Sequence, residues 1–172
     1  MASNKFDFLD DFGIDKGATP ENRYEEFVKD VGNKITKDLR TFIENNAHNT
    51  GALAQSVVYM PNGKLSFDIE ADSYYKFMDE GVNAVGTNNM NSSFSFRGLF
   101  VSSNHARAIQ EWKGLDLPHA YAVAMSNKKK GLKGHNITDN VITEKVLEDI
   151  SKDLAEVTGL NFEISFEKKL KK

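Results

Sequence analysis

The sequence predicts an α+β fold: a long N-terminal helix and a C-terminal helix packed on a small antiparallel sheet, with a long loop and a helical insertion between the strands and the last helix. Three patterns predict it. Apolar residues recur at three- and four-residue steps from Tyr24 to Ile43 and again from Ile142 to Val157, the period of a helix with one buried face. Between them, apolar and polar residues alternate on the far side of Pro61-Asn62-Gly63, the pattern of a hairpin with one wet face. Residues 82–137 fit neither pattern throughout and read as a loop followed by a helical insertion. The expected organisation is an extended arm over residues 1–18 and one domain over 19–172.

The arm carries Phe6, Phe8, Leu9, Phe12 and Ile14 among Asp7, Asp10, Asp11 and Asp15, with no sustained period. So many apolar anchors suit docking on a neighbouring subunit, although an acidic terminus can equally stay unfolded. Thr19-Pro20-Glu21 then starts the first helix: a hydroxyl to cap, proline at the first helical position, and an acid at the positive end of the dipole. Tyr24, Phe27, Val28, Val31, Ile35, Leu39, Phe42 and Ile43 form its stripe over about seven turns. It should end among Asn45, Asn46, Asn49 and Gly51.

In the hairpin, Val57 to Met60 lead into Asn62-Gly63, which supplies the left-handed conformations of a tight reversal. Leu65, Phe67, Ile69 and Ala71 form the buried face of the return strand, and the pair should pack on the long helix. From Val82 to Ser103 the composition turns to Asn, Ser and Gly with Phe94, Phe96, Leu99 and Phe100 interspersed, which predicts a mobile tip that partners fix. Ser102-Ser103-Asn104 caps a helix through Trp112 that Gly114 ends, and Pro118 starts another, rich in alanine. Thr138-Asp139 is the expected cap of the last long helix, which Gly159 stops. Leu160, Phe162, Ile164 and Phe166 alternate with polar residues, as a final strand rejoining the hairpin would.

Composition narrows the function classes. The 172 residues include no cysteine, so disulfides and thiolate metal sites are excluded. No basic and apolar leader opens the chain and no apolar run approaches a membrane span, so a soluble context without a membrane is expected. A net charge of -3 does not suit a protein that grips nucleic acid over its whole surface. The charge is uneven, however, with acids in the first thirty residues and a basic cluster of Lys128, Lys129, Lys130 and Lys133.

Catalysis finds little support in the residues. His48, His105, His119 and His135 show neither His-x-His nor His-x-x-x-His spacing, and each lies beside a predicted turn or helix end, where a solvated or capping histidine is ordinary. There is no Gly-x-Ser-x-Gly elbow, phosphate loop or dinucleotide fingerprint. The expectation is a protein that is not an enzyme, with no catalytic residue, cofactor or metal. The lysines read first as a solvated basic helix end that complements the dipole, and second as phosphate contacts without sequence readout. Asp79 and Glu80, with the acids of the arm, can meet lysines of another subunit and fix register. Apolar area for such contacts comes from Phe6, Phe8, Phe12, Phe94, Phe96 and Phe100, while Trp112 reads as core packing before interface.

Several of these pieces together resemble a known family. Thr50-Gly51-x-Leu53 heads the hairpin, and Tyr74-Tyr75-Lys76-Phe77-Met78-Asp79-Glu80-Gly81 follows it. Then come Ala108-Ile109-Gln110-Glu111-Trp112, the run Ala120-Tyr121-Ala122-Val123-Ala124-Met125, and the turn Lys130-Gly131-Leu132-Lys133. In this order, from about Pro20 to Phe166, they resemble the tail-completion or neck proteins of tailed bacteriophages, also known as head-tail joining proteins or tail components. Asp79 stands where that family usually has glutamate and Tyr75 where alanine is commoner.

The resemblance implies a virion structural protein, made in the host cytoplasm, that forms a homo-oligomeric ring at the head-tail junction. Such a ring would join the portal or connector to the tail proteins and surround the DNA channel, with DNA passing through without specific binding. Lys128, Lys129, Lys130 and Lys133 would be the candidate channel contacts. The alternative is a small prophage-encoded nucleic-acid-binding accessory module that uses the same lysine turn.

Overall fold

The computed structural model describes residues 20–46, 51–64 and 66–158. The fold is α+β, mostly helical with two small antiparallel sheets, and has a long helix near each end of the described chain. It groups into two compact units, one built from residues 20–40, 57–70 and 139–158 and the other from 41–56 and 71–138.

Helix α1 runs Pro20–Asn46, and its part in the first unit buries Phe27, Val31, Ile35 and Leu39 along one face, as its spacing dictates. Gly32 lies on this helix where the ring of Tyr59 closes on the backbone, and a Cβ there would collide with that ring and stand 3.2 Å from Phe67. The hairpin is thus seated on α1 by its aromatics, whose rings lie 5.5 Å apart. Arg40 Nε donates to the Val57 carbonyl at 2.8 Å and fixes the chain entering the first strand.

Strands β1 (Val58–Pro61) and β2 (Phe67–Glu70) pair with Val58 opposite Glu70 and Pro61 opposite Phe67. Asn62-Gly63 therefore does not make a two-residue reversal. The loop is longer, closed by the Asn62 amide donating to the Ser66 carbonyl at 3.0 Å and by Asn62 Nδ2 on Asp68 at 3.0 Å.

The last helix also differs from expectation. Ile137–Val141 forms a separate short helix, α6, and the long one, α7, spans Glu144–Thr158. Its first turn is capped by Thr143, which accepts from Val146 N through Oγ1 at 3.3 Å and from Leu147 N through its carbonyl at 3.1 Å. Thr138 is not that cap, because Asp79 holds both its N–H and its hydroxyl. The expected arm over 1–18 and final strand over 160–166 lie outside the described residues.

In the second unit, Gly51 at φ +75° opens the short helix α2 (Ala52–Ser56). Helix α3 (Tyr74–Glu80) leads directly into strand β3 (Gly81–Val82), which pairs antiparallel with β4 (Leu132–Lys133). Between them stand α4 (Ser103–Lys113) and α5 (Leu117–Lys130). Ser102 caps α4 by accepting from His105 N, and Asp116 caps α5 by accepting from His119 N. Gly114, left-handed at φ +62°, ends α4. The two helices close on a core of Val101, Ala106, Ile109, Ala120 and Ala124, where alanines let the backbones approach. Trp112 is not part of this core: it is 53% exposed, with Lys113 Nζ 4.3 Å from its ring. Among the described residues no helix is long and apolar enough to cross a membrane.

Candidate interaction surface

The acid-x-Gly segment and the Lys-Gly-Leu-Lys turn, far apart in sequence, meet in the β3–β4 pair. Gly81 faces Lys133 and Val82 faces Leu132. Three glycines allow it. A Cβ on Gly81 would strike the Leu132 carbonyl and the Gly134 nitrogen; one on Gly134 would strike the backbone of Asp79 and Glu80. One on Gly131 would lie 2.8 Å from the Val82 carbonyl. The crossing is pinned by His135 N on the Met78 carbonyl at 2.8 Å and Asn136 N on the Asp79 carbonyl at 2.9 Å.

Asp79 lies under this crossing, 2% exposed. Its carboxylate accepts from Thr138 N at 3.0 Å and from Thr138 Oγ1 at 2.8 Å, and that hydroxyl also meets Tyr75 Oη at 2.9 Å. Asp79 is therefore an internal fastener and not the surface acid expected from the sequence, since a carboxylate so enclosed presents no face to a neighbour. Glu80, half-buried, accepts from Ser93 N at 3.1 Å.

The segment after β3 has little regular structure, yet it is folded and not the free tip its composition suggests. Asn83, 1% exposed, holds it: Oδ1 accepts from Met90 N at 2.8 Å, and Nδ2 donates to the Ser92 carbonyl at 2.7 Å. Asn83 also exchanges backbone bonds with Phe94 and Phe96 across the parallel bridge to Ser95. Val85 N and Asn89 Nδ2 then cover the Lys128 and Lys130 carbonyls, two of the acceptors that the end of α5 leaves open. Sequence reasoning missed Asn83, because one asparagine in an Asn-rich loop carries no local mark of burial.

Around this scaffold aromatic side chains remain accessible. The rings of Tyr74 and Phe77 lie 6.5 Å apart, and Phe77 meets Phe94 edge-on at 4.6 Å. Phe96 lies under Lys128 Nζ, 5.2 Å from its centroid, while that ammonium donates to the Gly98 carbonyl at 3.1 Å. Phe100 is 82% exposed, the ring of a large apolar side chain turned to solvent. Lys129, Lys130 and Lys133 are exposed around the Gly131 turn. So the structure gathers Phe94, Phe96, Glu80 and the four lysines into one neighbourhood of the second unit. Phe6, Phe8 and Phe12 lie outside the described residues, and so does His48.

His105, in the first turn of α4, is held below the ordinary imidazole range by burial and then by the Lys128 charge. Because the unfolded chain then binds more protons as pH falls through 6.5, the stability this neutral ring contributes is present above that pH and lost below it. A urea midpoint that drops between about pH 7.5 and about pH 5.5 in the parent, and drops less in His105→Gln, is the expected result.

No protein-family model, curated protein or solved structure matches this chain.

Proposed function

We propose that this chain is a structural component of a tailed-phage virion, a neck or tail-completion protein that forms a homo-oligomeric ring at the head-tail junction. The ring joins the portal or connector to the tail proteins, and DNA passes through it without specific binding. The observation that carries the reading is the pairing of the two motifs on which the resemblance rests, Asp79-Glu80-Gly81 with Lys130-Gly131-Leu132-Lys133. A protein whose distinctive residues build a scaffold, and whose aromatics are left outside it, is suited to assembly and not to turnover.

The test is direct. Mass spectrometry of purified virions should find the chain, and loss of its gene should leave filled heads and tails unjoined; particles that form normally without it overturn the reading. Exposed Lys129, Lys130 and Lys133 keep the nucleic-acid-binding module as a second reading. That reading requires random duplex DNA to shift in a gel with an affinity that falls steeply with salt.

Phe100→Ala separates assembly from folding. With its ring so exposed, truncation should leave the urea midpoint of the subunit unchanged within about 0.5 kcal/mol. Association should weaken by about tenfold or more if the ring is buried in an assembly, read as the sedimentation-derived dissociation constant.

A further inference from the structure

The aromatic ridge and the lysine turn of the second unit form one face of mixed chemistry. Ser95 bridges to Asn83, so in this extended stretch Phe94 and Phe96, on either side of it, point to the same side. Phe94 continues the line of rings through Phe77 to Tyr74, and Phe96 ends it beneath Lys128. Beyond Lys128 stand the exposed ammonium groups of Lys129, Lys130 and Lys133. A partner complementary to this face carries apolar or aromatic side chains beside carboxylates.

The chain itself contains such a segment. In Phe6-Asp7-Phe8-Leu9-Asp10-Asp11-Phe12, an extended conformation puts Phe6, Phe8, Asp10 and Phe12 on one side over about 20 Å. We propose that residues 6–12 of a second copy of this chain seat on this face, rings against the ridge and Asp10, on the same side as the rings, toward the lysine turn. The contact is heterologous, arm of one copy to face of the next, which builds a ring when its rotation closes and a filament when it does not. The inference rests on the self-association in the reading above and is independent of the virion assignment.

The experiment uses the full-length chain carrying a photo-cross-linking phenylalanine at Phe8, prepared in light and heavy isotope forms and mixed before illumination. Cross-linked peptides that combine one light and one heavy copy, and that map to 74–77, 94–100 or 128–133, are the expected result. The combined substitution Lys129→Glu, Lys130→Glu and Lys133→Glu should lower their yield about tenfold, since each exposed pair adds little alone but all three are reversed. Circular dichroism of that variant should match the parent because the three side chains are exposed.

Cross-links confined to single-isotope pairs, cross-links that map elsewhere, or none from the folded protein overturn the proposal. A DNA gel shift abolished by the same three substitutions, without mixed-isotope products, assigns the face to nucleic acid instead. Absence from virions leaves mixed-isotope products intact, so the two readings fail separately.

Discussion

Gly81→Ala should cost the fold about 2–6 kcal/mol, a large share of the roughly 5–15 kcal/mol that holds a typical domain folded. Two costs combine. A non-glycine residue at φ +81° and ψ -165° carries about 1–3 kcal/mol of backbone strain. The added methyl also strikes the Leu132 carbonyl and the Gly134 nitrogen, backbone atoms that no rotamer change can move, and overpacking of this kind typically costs about 1–3 kcal/mol. The strand pair would have to separate, taking with it the His135 and Asn136 bonds to Met78 and Asp79.

Two other glycines make this prediction specific. Gly86 is also at positive φ, but a Cβ there meets nothing within 4 Å, so Gly86→Ala should show the conformational cost alone, about 1–2 kcal/mol. Gly98 has neither strain nor neighbours, and Gly98→Ala should be close to neutral. Urea denaturation of the three variants should rank them in that order. Equal midpoints for Gly81→Ala and Gly86→Ala would mean that the close backbone crossing is absent.

The sequence is readable where one residue's type fixes one local outcome, and opaque where the outcome depends on a distant partner. Pro20, Ser102 and Gly114 mark helix ends correctly because capping and left-handed φ are settled within a few residues. The buried stripe of α1 is legible for the same reason. Asn62-Gly63 misled because the turn is decided by where the strands pair, and Pro61 faces Phe67 across a longer loop. Thr138-Asp139 looks like a long-helix cap until Asp79, a residue from another helix, engages Thr138. The same contact withdrew Asp79 from the candidate interface. Gly131 reads as a turn residue and Gly81 as the close of a motif, and only the tertiary crossing reveals that both serve one approach together with Gly134.

Asp79→Ala should be the most informative side-chain deletion, with a loss of about 2–4 kcal/mol in subunit stability. Truncation removes the acceptor of a backbone N–H and of a hydroxyl, both in a residue that is itself buried, and each abandoned polar group costs about 1–3 kcal/mol. The Thr138 hydroxyl can turn toward Tyr75 Oη, so part of that loss is recovered. Asp79→Asn keeps an oxygen for the Thr138 N–H and offers its NH2 to the hydroxyl oxygen, and should therefore lose only about 1 kcal/mol. The pair of variants separates two roles. An acid that fixes register between subunits would show little change in urea midpoint, and both variants, which abolish its charge alike, would weaken association alike. An internal fastener gives the opposite pattern: stability falls in Ala, is mostly kept in Asn, and any fall in association tracks the fraction unfolded. The enclosure of the carboxylate predicts the second pattern, and a full-strength urea midpoint in Asp79→Ala would return this residue to the surface.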